Sequence, residues 1–238
     1  MKTAILIPAR FQSSRFKGKP LAKILNKSMI EWVYKGVCEA QYADFTAVLT
    51  DDMRIFNEVK NFGGNVFMVK GNFQSGTDRI AHFVKDKDYD YIVNMQGDEP
   101  LMDSKTIDRL INFALMQKCE MATLSSECKE DEIDDPNIVK IVTDTDNNAL
   151  YFSRSKIPFN RGKCNKFIKH IGIYIYSKET LMKLYTLKPS ILEKCEKLEQ
   201  LRALENGIKI KVCTTNRVLI GVDTKDDLVK VENYLKNP

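Results

Sequence analysis

The sequence predicts an α/β fold: a doubly wound, mainly parallel, Rossmann-like sheet with a smaller second lobe. Two observations carry that expectation. Over residues 4–95, short apolar runs rich in β-branched residues alternate with longer amphipathic stretches, which is the rhythm of βαβ units. After Pro100 the rhythm loosens, and strand-like runs are spaced by acidic and turn-forming segments. At 238 residues the chain fits one large domain better than two independent ones.

In chain order, residues 4–8 read as the first strand and an amphipathic segment around 29–40 as the first helix. Residues 45–50 form a strand, 54–62 a helix, 65–69 a strand, 77–84 a helix and 91–95 a strand. In the looser half, 104–116 reads as a helix and 121–125 as a strand, followed by an acidic stretch over 127–135. Residues 138–143 and 171–176 read as strands, with Asp146-Asn147-Asn148 as a turn. Residues 208–213 make a late strand and 225–234 a closing helix. The boundary of the second lobe is expected near residues 100–125.

Composition narrows the function classes. Hydrophobic residues make up 43% of the chain and charged ones 29%, enough for a packed core. The 37 basic residues nearly balance the 32 acidic ones, and the net charge of +5 is not gathered into an arm or tail. A nucleic-acid partner is therefore not expected, whereas an anionic small ligand suits the slight excess. Cys38, Cys119, Cys128, Cys164, Cys195 and Cys213 lie too far apart for zinc or redox pairs. Residues 4–8 are too short for a signal peptide, and no stretch approaches the roughly 20 apolar residues of a membrane span. A cytoplasmic protein with no membrane partner is expected.

Ligands of doubly wound sheets bind outside the carboxyl ends of the strands. The residues there are Ala9-Arg10, Asp51-Asp52 and Gln96-Gly97-Asp98. The segment Pro8-Ala9-Arg10-Phe11-Gln12-Ser13-Ser14-Arg15-Phe16-Lys17-Gly18-Lys19-Pro20 gathers cations, a glycine and backbone amides where a polyphosphate could sit. It has the glycine spacing of neither a Walker loop nor the dinucleotide fingerprint, which weakens kinase and dehydrogenase readings. By itself it reads equally as a solvated basic turn. Asp98 ends an apolar run and could hold Mg2+ alongside phosphate oxygens, or cap a turn. Asp223, in Gly221-Val222-Asp223-Thr224, precedes a helix, where N-capping is the ordinary role.

Several blocks together resemble the CMP-3-deoxy-manno-octulosonate synthetase family. They are residues 4–20 with Gly18-Lys19-Pro20-Leu21, Gln74-Ser75-Gly76-Thr77-Asp78-Arg79, and residues 94–100. The series continues with Leu150-Tyr151-Phe152-Ser153-Arg154, Ile157-Pro158, His170-Ile171-Gly172-Ile173-Tyr174, Leu198-Glu199-Gln200-Leu201-Arg202 and Gly221-Val222-Asp223-Thr224. They occur in family order and span nearly the whole chain. Lys17 stands where the family usually has proline, and Asn26-Lys27-Ser28-Met29 replaces a Gly-Lys-Pro-Met run.

The resemblance implies a nucleotidyltransferase sheet over residues 1–238, with about 1–100 binding nucleotide and 101–238 serving sugar binding and dimerisation. It implies a homodimer that moves CMP from CTP, with Mg2+, onto an acidic eight-carbon sugar for the lipopolysaccharide inner core. Carried over position by position, Arg10 and Lys19 hold the CTP phosphates, with Ala9 and Ser14 in the same loop. Gln74, Ser75 and Arg79 lie along the cytidine pocket, and Asp98 and Asp223 bind Mg2+. Gln96, Arg154, His170, Tyr174, Glu199 and Gln200 contact the sugar acid. On residues alone, His170 beside an apolar strand would be a core histidine. The rivals are activation of an 8-amino or nonulosonate-type sugar, and a non-catalytic RNA-binding module. The latter explains the basic loop but not two strand-end aspartates.

Overall fold

The computed structural model describes residues 1–12, 16–162 and 166–236. In chain order the elements are β1 (Thr3–Ala9), β2 (Lys23–Ile24), β3 (Lys27–Ser28), α1 (Met29–Val37), β4 (Phe45–Thr50), α2 (Met53–Asn61), β5 (Val66–Met68), α3 (Gly76–Val84), β6 (Tyr91–Asn94) and α4 (Ser104–Met116). They continue with β7 (Met121–Glu127), β8 (Lys140–Thr143), β9 (Ala149–Ser153), β10 (Ile168–Ser177), α5 (Lys178–Thr186), α6 (Ile191–Glu196), α7 (Gln200–Glu205), β11 (Ile210–Thr214) and α8 (Lys225–Lys236). Single 3-10 turns lie at Lys19–Leu21 and Glu130–Glu132. The chain forms two compact units, residues 1–109 with 218–238, and residues 110–217.

The first unit is built on four parallel strands in the order β6, β1, β4, β5. Ala4, Ile5, Leu6 and Ile7 are fully buried, as expected of a strand covered on both faces. Burying each of the three larger side chains contributes about 1.5–3 kcal/mol relative to exposure. The chain steps outward from β1 to β4 and β5, then returns to the other side of β1 as β6, so the strand order reverses beside β1. That reversal is where doubly wound sheets bind their ligands.

Helix α1 buries Met29, Ile30, Val33, Tyr34 and Val37, a single apolar stripe at helical spacing. It approaches its neighbour so closely that a Cβ on Gly36 would lie 2.2 Å from the Met102 carbonyl oxygen. A smaller core of Ile24, Met29, Leu101, Val222 and Val231 packs against Trp32 and Leu228, fastening residues 218–238 to this unit. Those residues, expected with the later half of the chain, place Asp223 beside the first strand's loop.

In the second unit β7 pairs antiparallel with β10 and parallel with β11. β8 pairs antiparallel with β9 and with β10. Asn147, at φ 60°, makes the turn between β8 and β9. Strand β10 is bulged between Ile171 and Tyr174. The hydroxyl of Thr123 stitches the bulge, lying 3.2 Å from the Ile171 carbonyl oxygen and 2.8 Å from that of Ile173. Among the described residues, no helix is long and apolar enough to cross a membrane.

Candidate active site

In the first unit, the carboxyl ends of β1 and β6 open into a cleft lined by Ala9, Arg10, Lys19, Ser75, Arg79, Gln96, Asp98 and Asp223, with Phe73 and Pro20 as apolar wall. Gly76 begins α3 against Pro8, whose Cγ would lie 2.8 Å from a Cβ at that position. Gly18, at φ 74°, takes the left-handed conformation that glycine adopts without strain and starts the turn carrying Lys19.

At the centre of the cleft, Lys19 Nζ donates to Asp98 Oδ2 at 2.7 Å and to the Val222 carbonyl at 2.8 Å. Asp223 Oδ1 lies 3.3 Å from the same nitrogen. Two carboxylates thus converge on one point, and a cation already sits between them. Lys19 is 15% exposed and the two aspartates 33% and 45%, so ligand oxygens can reach this point from solvent.

The bonds at the starts of the two neighbouring helices are made by other residues. Helix α8 is capped by Thr224, whose hydroxyl accepts from the Asp227 amide at 3.3 Å while Asp227 accepts from the Thr224 amide at 3.0 Å. In the first turn of α4, Asp103 accepts from the Thr106 amide at 2.8 Å. The Asp98 and Asp223 carboxylates turn to Lys19 instead.

Arg79 is buried, donating to Asp51 Oδ2 at 2.6 Å and to the Val69 carbonyl at 2.7 Å, with its guanidinium 5.3 Å from the Phe73 ring centre. Ser75 lines the cleft and also caps α3, accepting from the Asp78 amide at 3.1 Å. Gln74 does not line the cleft: its side chain is exposed and its amide donates to Asp78. Gln96 donates to Asn94 Oδ1 at 3.1 Å, and Asn94 in turn donates to Thr77. Ser14 lies outside the described residues.

The remaining candidates gather in the second unit. The His170 ring packs edge-on to Phe152 at 5.1 Å and beside Tyr174 at 5.3 Å. The ring keeps partial exposure, yet its burial lowers the imidazole pKa to about 3, so it is neutral at pH 7. His170 Nε2 lies 3.0 Å from the Thr123 hydroxyl. A neutral imidazole has one donor and one acceptor nitrogen, and the ring tautomer decides which of these roles Nε2 takes toward this hydroxyl.

Tyr174 Oη and Gln200 Nε2 are buried without a hydrogen-bond partner among the described residues. Burial, Tyr176 and Glu199 hold the Tyr174 hydroxyl well above its usual range, so it stays a neutral donor. Orphaned buried polar atoms cost about 1–3 kcal/mol each, and a polar ligand would relieve them. Arg154 is anchored, with Nε donating to the Glu196 carbonyl at 2.9 Å and Nη1 to that of Pro136 at 3.1 Å. Glu196 also accepts from the Ser153 hydroxyl and the Arg154 amide. Glu199 lies 3.7 Å from Arg202.

Residues 4–210 match the family model described as cytidylyltransferase. The chain is 47% identical to the 3-deoxy-manno-octulosonate cytidylyltransferase of Fusobacterium nucleatum subsp. nucleatum, over 99% of this chain and 98% of that one. The chain belongs to the 3-deoxy-manno-octulosonate cytidylyltransferase family. A relative of the same name from Solibacter usitatus is 44% identical, over 97% of this chain and 93% of that one. A solved structure described as CMP:2-keto-3-deoxy-manno-octonic acid synthetase complexed with CTP matches with a TM-score of 0.94 and 37% identity, over 99% of both chains. The family expected from the sequence blocks and the mainly parallel α/β fold both stand.

Some residues of the site had no signal of their own. Phe73 flanks the Gln74 to Arg79 block and could have been included on that ground. Asp51 was marked by its place behind a strand, but its partner Arg79 stands 28 positions away. Thr123 and Glu196, which hold His170 and Arg154, carry no pattern that distinguishes them from any polar residue near a strand or short helix.

Proposed function

We propose that this protein transfers CMP from CTP to the anomeric hydroxyl of 3-deoxy-D-manno-octulosonate, releasing pyrophosphate and supplying the lipopolysaccharide inner core. The observation that carries the reading is the meeting of Lys19, Asp98 and Asp223 in one cleft at the strand reversal. Support comes also from relatives whose names state this activity over nearly their full length.

Both substrates are anions, so charge neutralisation comes first. Arg10 and Lys19 bind the phosphates, with Ala9 beside them and Ser75 and Arg79 along the cytidine. The two convergent carboxylates fit Mg2+, a hard cation commonly held by one or two carboxylates together with substrate phosphates. Asp98 and Asp223 would hold it, and it would supply charge stabilisation on the phosphate oxygens. In-line attack of the sugar hydroxyl on the α-phosphorus breaks its bond to the bridging oxygen, pyrophosphate departs with that bond pair, and the hydroxyl proton passes to solvent.

Arg154 suits the sugar carboxylate, while the neutral His170 ring, Tyr174, Gln200 and Glu199 hydrogen-bond its hydroxyls. Gln96 belongs with this set. The protein works in the cytoplasm as a homodimer. An 8-amino sugar remains a second substrate reading, because Glu199 would pair with an ammonium as readily as with a hydroxyl.

The test is pyrophosphate release from CTP with Mg2+, using 3-deoxy-manno-octulosonate, its 8-amino analogue and a sialic acid, with ATP and UTP as nucleotide controls. Selective turnover of CTP with an eight-carbon acid is expected, and silence across the panel would refute the proposal.

A further inference from the structure

Asp52 and Arg54, behind the end of β4, have no part in the chemistry above, yet they form a chain of contacts that ends at Lys19. The Arg54 guanidinium carbon lies 3.3 Å from the Phe11 ring centre. Asp52 locks that guanidinium with two bonds, Nε to Oδ1 at 2.9 Å and Nη2 to Oδ2 at 2.6 Å. The hydrogen bonds from the Arg54 side chain hold the Asp52 carboxyl below its usual range, so the lock persists at neutral pH.

Phe11 in turn rests on Gly18. Its Cε2 and Cζ atoms lie 3.1 and 3.2 Å from where a Cβ at Gly18 would be, and its carbonyl accepts from the Gly18 amide at 2.9 Å. Gly18 is the left-handed residue that opens the Lys19–Leu21 turn. The ion pair is exposed and would add little to global stability. Its effect is local: a planar cation pressed on a ring fixes the ring's position.

We propose that Arg54, held by Asp52, is a positioning residue for Lys19, fixing Phe11 against Gly18 and so setting the turn that aims the ammonium. This rests on the nucleotide reading of the cleft.

The experiment is a mutant cycle read in the KM for CTP at saturating sugar acid. Arg54→Met and Phe11→Leu are each expected to raise that KM about three- to fivefold, with kcat within about twofold, as befits one exposed cation–π contact. The double variant should be no worse than either single one, because both break the same link. Phe11→Tyr, which keeps the ring, should behave as wild type. In calorimetric titrations of CTP with Mg2+, Arg54→Met should add no further loss in a Lys19→Met background. The inference is overturned if the single effects multiply, if Phe11→Tyr fails to preserve the KM, or if kcat and the urea midpoint fall together. Wild-type turnover with an unaltered Arg54→Met variant overturns this inference alone, whereas a wild type silent toward CTP overturns the proposed function with it.

Discussion

The ammonium of Lys19 donates to Oδ2 of Asp98 at 2.7 Å, joining positions 79 residues apart in the chain. The turn after β1 and the residues behind β6 are thereby tied together at the strand reversal, and Asp223 completes the arrangement from residues 218–238. One lysine offsets only one of the two carboxylate charges, so the cluster is left net negative before substrate arrives. A phosphate that attracts Lys19 leaves the carboxylates facing an incoming divalent cation.

Replacing that lysine separates its two effects. Lys19→Met keeps a straight side chain but removes the competing charge, so Mg2+ or Mn2+ should bind the nucleotide-free variant more tightly than wild type. Its kcat/KM for CTP should fall about 100-fold, the usual scale for losing one charge-stabilising donor. Calorimetry with metal alone checks the first effect, and pyrophosphate release the second. Unchanged metal affinity would mean that the ammonium does not compete for the carboxylates.

Arg79 is expected to support the cleft wall as well as the nucleotide. Arg79→Leu leaves Asp51 without its partner and the Val69 carbonyl without its donor, a loss of about 2–3 kcal/mol. For a chain of this size that lowers Tm by about 5–10 °C. Asp51→Asn keeps an acceptor and should cost about 1 kcal/mol. Urea unfolding of both variants checks the order, and a reversed order would place the wall's stability in the aspartate.

The legible parts of the fold are those where burial imposes one pattern. Residues 4–8 were readable as a strand because both faces of β1 are covered and every position is apolar. Helices α6 and α7, six residues each, are too short to display a period, and the sequence reading passed over them along with α5 and β9. Strand β10 runs for ten residues through a bulge that takes in Gly172 and Ile173, which a two-residue alternation does not anticipate. In the site, Asp98 was visible as a carboxylate at a strand end. Asp223 reads as either cap or ligand in the sequence, and the structure shows the reciprocal bonds at the start of α8 made by Thr224 and Asp227. The Thr123 to His170 contact joins positions 47 apart and leaves no trace in local sequence.

Arg202 illustrates the opposite case, a residue inside a family block that acts as a strut. Its Nε and Nη2 bond both Glu193 oxygens at 2.9 and 2.7 Å, and Nη1 reaches the Leu184 and Leu187 carbonyls at 3.4 and 3.3 Å. Arg202→Met takes the charged partner from Glu193, which keeps only the Ser190 amide, and the guanidinium donor from the Leu187 carbonyl, at a cost of about 3 kcal/mol. Arg202→Lys cannot reproduce the two-pronged bond and should recover only part of that. Because Glu199 lies 3.7 Å from this guanidinium, the lysine variant should raise the sugar-acid KM and leave the CTP KM unchanged. Equal changes in both would contradict a role confined to the sugar side.

His170 makes a prediction about pH that separates stability from catalysis. Burial pushes its pKa from 6.5 down to about 3, so between those values the unfolded chain binds a proton that the native state refuses. Stability then rises with pH through this window and is fully present above 6.5. Acidifying from pH 7 to pH 5 should cost at most about 2 kcal/mol through this residue, and less where the partly exposed ring meets water. His170→Gln removes the titrating group, so its urea midpoint should fall less than that of wild type between the two pH values. The same burial keeps the ring neutral throughout, and kcat/KM for the sugar acid should show no inflection near pH 6.5 that His170→Gln abolishes. Such an inflection would show that the imidazole titrates in the native protein, and the neutral-ring assignment would fall with it.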